Sequence, residues 1–482
     1  MTDPLPASGT ASSAVLLATT PACRLGCREG TLLDRLTDQL TSLRVREVQT
    51  LTSAGGLPAD LRGVAKLARV AAGAVALLPG DLVAHTEALA MLLEHPARDT
   101  RALVAGETAI GPMRPPLRAE GGRITAAGSS FHTVPEANAA FAGVMQVGEA
   151  DLGALADVAE ELAELADSGR LGPVTPLEAV DLLLVGVVRS GAPVRAVPLG
   201  PLHSSRVTGQ ASADAAIERL AEVDEDEVRL DGAVKSDDGF FASYFVSPWT
   251  RHLIKRAHAR KLTPNAVTGI SIAVAGLAAI WFSAGTRGAM VAGAVLFYLS
   301  FALDCLDGQL ARYTRGFTPL GAWADGMADR LKEYAVYVGL AFGYVATHPS
   351  GGNPDGIWYL AVGAMILQAV RHSIHFSYAG SVWDAGQVGA LWARPVRSLL
   401  EPADAGRGRP RQGLLRIAQR VRHGSAVHWL RKIFALPIGE RTALIAVTAA
   451  LFDARVTFVA LLGWGGVAAV YQLAGRMVRS VE

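Results

Sequence analysis

Asp304-Cys305-Leu306-Asp307-Gly308-Gln309-Leu310-Ala311-Arg312 and, after eight intervening residues, Gly321-Ala322-Trp323-Ala324-Asp325-Gly326-Met327-Ala328-Asp329 decide the reading of this chain. Both stretches fall where long apolar segments meet a membrane surface. Carboxylates in that position are costly unless something compensates them. At 100° per residue, Asp304, Asp307, Gly308 and Ala311 share one helix face, while Gly321, Asp325 and Asp329 form an i, i+4, i+8 stripe on the next helix. A short link containing Arg315, Gly316 and Pro319 makes these helices antiparallel neighbours, and Gly308, Ala311 and Gly321 permit close backbone approach. The carboxylates then converge on one cleft. Oxygen-only ligands favour Mg²⁺ or Mn²⁺ over zinc or copper. Four of them can hold two ions and leave an oxygen for proton transfer, and divalent ions beside a basic membrane face point to phosphate chemistry.

Working outward, half of the 482 residues are hydrophobic, but unevenly distributed. Residues 1–235 read as a cytoplasmic α/β domain and 236–262 as a juxtamembrane interfacial helix. Residues 263–482 read as an all-α membrane domain of six transmembrane helices, at 263–284, 288–312, 319–346, 356–378, 439–453 and 455–477. In the interfacial segment Phe240, Phe241, Tyr244, Phe245, Trp249 and Leu253 stand beside Arg251, Lys255 and Arg256, which suits a helix lying in the membrane plane. Arginines crowd the segment 379–432, expected to form surface helices that attract anionic headgroups, whereas the loop 348–356 has no Lys or Arg. The positive-inside rule therefore places both termini and the aspartates at the cytoplasmic face of a cell membrane. No secretory signal is evident at the N-terminus. Cys23, Cys27 and Cys305 read as reduced thiols rather than a disulfide framework.

The paired stretches resemble the signature of the CDP-alcohol phosphotransferase (CDP-alcohol phosphatidyltransferase) family, D-x2-D-G-x2-A-R-x8-G-x3-D-x3-D. Every specified position is filled, by Asp304, Asp307, Gly308, Ala311, Arg312, Gly321, Asp325 and Asp329. At ordinary residue usage, chance agreement at eight positions is on the order of 10⁻⁹ per starting point. The resemblance implies that Asp304, Asp307 and Asp325 bind metal and the CDP pyrophosphate. Asp329 would be the general base and a possible ligand to a second Mg²⁺ or Mn²⁺. It further implies nucleotide contacts at Gly308, Ala311, Arg312, Gly321 and, more weakly, Thr268. The reaction implied is attack by a hydroxyl on the β-phosphorus of a CDP-alcohol, with CMP leaving. CDP-diacylglycerol is the expected donor and a polyol or polyol phosphate the expected acceptor, in contact with membrane lipid and in a homodimer. No nucleic-acid partner is expected. Arg371 and Arg441 stand where they would grip a phosphorylated acceptor, or snorkel from helix ends.

In residues 1–235, strand candidates at 14–18, 45–51, 74–78 and 141–145 alternate with helical patterns such as 32–40. This order resembles a sugar-phosphate nucleotidyltransferase, in degenerate form. Where such a domain carries a glycine-rich phosphate loop, the chain reads Thr19-Thr20-Pro21-Ala22-Cys23-Arg24-Leu25-Gly26-Cys27-Arg28. Asp81, at the carboxyl end of a strand, is a metal candidate only if that domain is active; otherwise it is a turn residue. An active domain would make the protein bifunctional, supplying a soluble CDP-polyol to its own membrane half. A divalent-ion transporter is the non-enzyme alternative, although transport leaves Arg312 and the glycine spacing unexplained.

Overall fold

The structure is a computed structural model and describes residues 12–27, 30–52, 55–111, 113–234, 239–348, 353–391, 399, 429 and 433–481. The described residues divide into two compact units, the first running to Arg229 and including Leu399, the second beginning at Leu230.

The first unit is built on strands β1 (Ser13–Ala18), β2 (Gly26–Cys27), β3 (Gly30–Thr31), β4 (Glu47–Thr52), β5 (Val75–Pro79), β6 (Leu82–Ala84), β7 (Arg101–Gly106), β8 (Pro116–Glu120), β9 (Arg123–Ala127), β10 (Ala139–Val147), β11 (Arg195–Pro198) and β12 (Ser204–Arg206). Its helices are α1 (Leu32–Ser42), α2 (Gly56–Val70), α3 (Thr86–Leu93), α4 (Leu152–Asp167), α5 (Ala179–Arg189) and α6 (Gln210–Leu220). Eight strands form one sheet in the order β4-β1-β5-β10-β7-β11-β9-β8. β1 runs parallel to β4 and β5, and β10 antiparallel to β5 and β7. Alternate side chains leave opposite faces of each strand. Thus Val15, Leu17, Val75 and Leu77 pack with α2, α4 and α5, whereas Ala14, Leu16, Ala76 and Leu78 pack with α1 and α3. Burial on both faces explains why the central strands are near-continuous apolar runs. A capping box opens α1: the Asp34 amide donates to Thr31 Oγ1 at 3.2 Å, and the Thr31 amide to Asp34 Oδ2 at 3.0 Å.

Near the end of the first unit, α7 (Glu225–Ala233) places Leu230 and Ala233 against Ile254, Ala257 and Val267. The second unit continues with α8 (Ser247–Ala259), α9 (Pro264–Ser283), α10 (Arg287–Thr314), α11 (Pro319–Thr347), α12 (Ile357–Leu391), α13 (Ile438–Leu451) and α14 (Ala454–Val481). A π-helical turn at Ala242–Val246 leads into α8 and leaves Tyr244, Phe245 and Trp249 exposed, in keeping with an interfacial segment.

Six helices occupy the places of the six expected spans, but among the described residues four meet the length and apolarity of a membrane crossing: Pro264–Ser283, Arg287–Thr314, Pro354–Tyr378 and Ala454–Met477. α11 is long enough but carries Asp325, Asp329, Arg330, Lys332 and Glu333. α13 has 14 residues, short of the roughly 20 that a crossing needs. α12 runs on to Leu391, so residues 379–391 extend it rather than starting surface helices. The arginines of 392–432 lie outside the described residues.

The α10–α11 link closes tightly. Arg315 adopts a left-handed conformation (φ 50°, ψ 28°) to end α10, and the Thr318 side chain caps α11 by accepting from the Gly321 amide at 2.9 Å. The expectation that α10 and α11 pack along each other needs correction. α9 lies along both, and they scarcely pack together. Gly321 faces Asn265 at the start of α9, not α10. The close backbone seam is between α9 and α11, where a methyl group at Gly339 would collide with the Ala279 carbonyl and one at Gly343 with the Phe282 carbonyl.

Gly343→Val should therefore force α9 and α11 apart, at a cost of about 1–3 kcal/mol. Gly288→Ala, with nothing near its missing Cβ, should be close to neutral. Apparent melting midpoints of the two variants in detergent check this contrast.

Candidate active site

The last turns of α10 carry Asp304, Asp307, Gly308, Ala311 and Arg312, and the first turns of α11 carry Gly321, Asp325 and Asp329. One carboxylate oxygen from each of Asp304, Asp307 and Asp325 lies within 4.8 Å of the other two. Asp307 is buried and the other two partly so. α9 orders this group: the Thr268 hydroxyl stands 2.5 Å from Asp307 Oδ2 and 3.1 Å from the Pro264 carbonyl. Thr268 thus touches the carboxylate cluster itself.

The fourth aspartate is set apart. Asp329 Oδ1 is buried without a hydrogen bond and lies 3.2 Å from Lys332 Nζ. Lys332 also donates to Asp304 Oδ1 and, at 3.2 Å, to Ser271 Oγ of α9. Sequence reasoning passed over Lys332, although a lysine one turn past Asp329 in an apolar helix was a visible signal.

Gly308 presents bare backbone. A Cβ there would meet nothing nearer than the Arg312 guanidinium, at 3.5 Å. Among the described residues no close packing requires glycine at this position, and the open backbone leaves room for a ligand to approach. Arg312 Nε donates to the Ala233 carbonyl at 2.5 Å, which holds its side chain beside that patch.

The two arginines considered for the acceptor are engaged within the protein. Arg441 pairs with Glu333 through Nε at 3.0 Å and Nη2 at 3.2 Å. Arg371 donates to the carbonyls of Ala435 and Leu436 at 2.8 and 3.0 Å. Tyr337 and Gln368 also donate to Glu333. A cavity of about 20 Å³ joins this network to the aspartates, bordered by Asp304, Asp329, Lys332, Glu333 and Arg441.

In the first unit, Asp81 is fully buried at the β5–β6 turn. Arg206 grips it through two bonds, Nε to Oδ1 at 2.8 Å and Nη2 to Oδ2 at 2.9 Å, and Thr20 donates to Oδ2 at 3.0 Å. Asp181 lies 3.8 Å from Arg206, and burial pushes its carboxyl up to about 7 against the pull of that guanidinium. Asp81 is neither an ordinary turn residue nor an open ligand. The loop after β1 forms a 3-10 turn at Pro21–Arg24, and Pro21 has no N–H to offer a phosphate.

Residues 261–393, in the C-terminal region, match the family model for CDP-alcohol phosphatidyltransferase. The phosphatidylinositol phosphate synthases of Mycobacterium tuberculosis (strain ATCC 25618 / H37Rv) and Mycobacterium bovis (strain BCG / Pasteur 1173P2) are each 36% identical to this chain over 89 residues, 18% of this chain and 39% of theirs. The chain thus spans about two fifths of the length of these curated relatives. Among solved structures, the N-terminal part is similar to the inositol-1-phosphate CTP transferase from T. maritima (14% identity, 44% of this chain and 98% of that one, TM-score 0.33). It is also similar to a mannose-1-phosphate geranyltransferase from Thermus thermophilus (20% identity, 44% and 80%, TM-score 0.29).

The raised Asp181 carboxyl makes a signed prediction. A buried acid that favours its proton when folded stabilises the protein below the unfolded pKa of about 3.8, and that contribution is lost as pH rises through about 7. Asp181→Asn should flatten this dependence. Melting of the full chain across pH 4 to 8, roughly the window of that shift, tests it.

Proposed function

We propose that the protein transfers a phosphoalcohol group, in the first instance phosphatidyl, from a CDP-alcohol to a hydroxyl acceptor, releasing CMP. The single observation carrying this reading is the convergence of Asp304, Asp307 and Asp325 beside the bare backbone of Gly308. Three carboxylates fit a hard divalent cation such as Mg²⁺ or Mn²⁺, which when bound would neutralise the pyrophosphate and the charge gained by departing CMP. Gly308 admits the nucleotide against α10, and Arg312 answers its phosphates. Asp329 accepts the acceptor hydroxyl's proton as that oxygen bonds to the β-phosphorus and the bond to CMP breaks. Its carboxylate stands beside the three-carboxylate group, 3.2 Å from Lys332 Nζ, which supports that role by placing it next to the reacting groups. The relatives' name favours CDP-diacylglycerol as donor and inositol phosphate as acceptor. Arg371 and Arg441 then shape the acceptor end through Glu333 and the α13 entry rather than as free cations.

Both termini and the site face the cytoplasm in this reading, by the arginine distribution. The first unit acts as a repurposed nucleotidyltransferase-like domain and makes no CDP-alcohol. The Arg206 grip on Asp81 supports this, since a guanidinium holds both oxygens that a metal would need.

Purified full-length protein with Mg²⁺, CDP-diacylglycerol and inositol phosphate should release CMP. Asp329→Asn should cut turnover roughly 10²–10⁴-fold while nucleotide binding persists; normal turnover would remove Asp329 from proton transfer. Incubation of the full chain with CTP and inositol phosphate should yield no pyrophosphate, and its steady release would establish the bifunctional reading instead.

A further inference from the structure

We propose that Lys332 supplies the second positive charge of this centre, so that each chain binds one divalent cation rather than two. The inference rests on the phosphotransferase reading and refines it. The ammonium is held from three helices: by Ser271 Oγ of α9 at 3.2 Å, by Asp304 Oδ1 of α10, and by Asp329 Oδ1 of α11 at 3.2 Å. Asp329 and Lys332 are i and i+3 on one helix, so their approach is built into α11. Lys332 is only 6% exposed, which leaves its charge little water to retreat into.

Paired catalytic ions stand about 3.5–4 Å apart. With one ion on the Asp304, Asp307 and Asp325 oxygens, a partner ion would belong between Asp304 and Asp329, where Lys332 Nζ already sits. A small divalent ion keeps several water ligands, which would have to be admitted, with the ion, at a point the ammonium already fills. The ammonium is three hydrogen-bond donors on a tether and needs no hydration shell in that space. Asp304 is shared, facing the three-carboxylate group on one side and Lys332 on the other.

The test counts ions without using turnover. Full-length protein in detergent is titrated with MnCl₂, and bound Mn²⁺ is read by electron paramagnetic resonance. Wild type should saturate at one ion per chain with an uncoupled spectrum. Lys332→Met, similar in length but uncharged, should take up a second ion and show spin coupling between neighbours; Lys332→Arg should remain at one. Two coupled ions in the wild type would overturn the proposal while leaving the phosphotransferase reading intact, and that count needs no variant to fold. Lys332→Met remaining at one ion would also overturn it. A wild type that binds no Mn²⁺ would remove both.

Discussion

Where α9, α10 and α11 meet, four carboxylates share a small, largely water-poor volume, and neutralising them is the constraint on which the second unit depends. Part of the compensation is internal. Lys332 binds Asp304 and approaches Asp329, and Thr268 donates to Asp307. The remainder, at Asp304, Asp307 and Asp325, is what a hard cation and its phosphate ligand would complete. Placement of the helices follows from this. α9 brings hydroxyls rather than charges to the cluster, so it can lie along both neighbours without adding to the repulsion.

One turn beyond, Glu333 extends the same logic. It is 5% exposed and is answered by Arg441, Tyr337 and Gln368, with Arg371 anchoring the chain that leads into α13. Breaking such a buried pair from one side is costly because the remaining charge has no substitute partner. Arg371 of α12 and Arg441 of α13 are therefore part of the frame of the site. Arg441 answers the Glu333 carboxylate of α11, and Arg371 holds the carbonyls of Ala435 and Leu436.

Much of this was legible in the chain. Apolar runs at 14–18, 74–78 and 141–145 became β1, β5 and β10 because a doubly covered sheet demands continuous burial. The i, i+4, i+8 spacing put Asp325 and Asp329 on α11 as read, and three of the four aspartates converge. What escaped notice was long-range or chemically ordinary. Thr268 had been singled out only weakly and Ser271 not at all, because hydroxyls are commonplace in a membrane helix; that α9 mediates the α10–α11 contact is tertiary information. Arg206 meets Asp81 across 125 residues, with no local pattern to announce it. Lys332 was visible in the sequence, but the motif drew attention to the acids and away from the base one turn further on.

The glycine seam between α9 and α11 has a mechanical corollary. At Gly339 and Gly343 the two backbones touch, so the helices are fastened near one end, and Asp325 sits on the far side of that fastening. Eighteen residues separate Gly343 from Asp325, about 27 Å of helix at 1.5 Å per residue. A pivot at that distance acts as a lever: a tilt of about 3° displaces the aspartates by roughly 1.4 Å. Small changes of packing at the seam are therefore magnified at the aspartates, about five helical turns away.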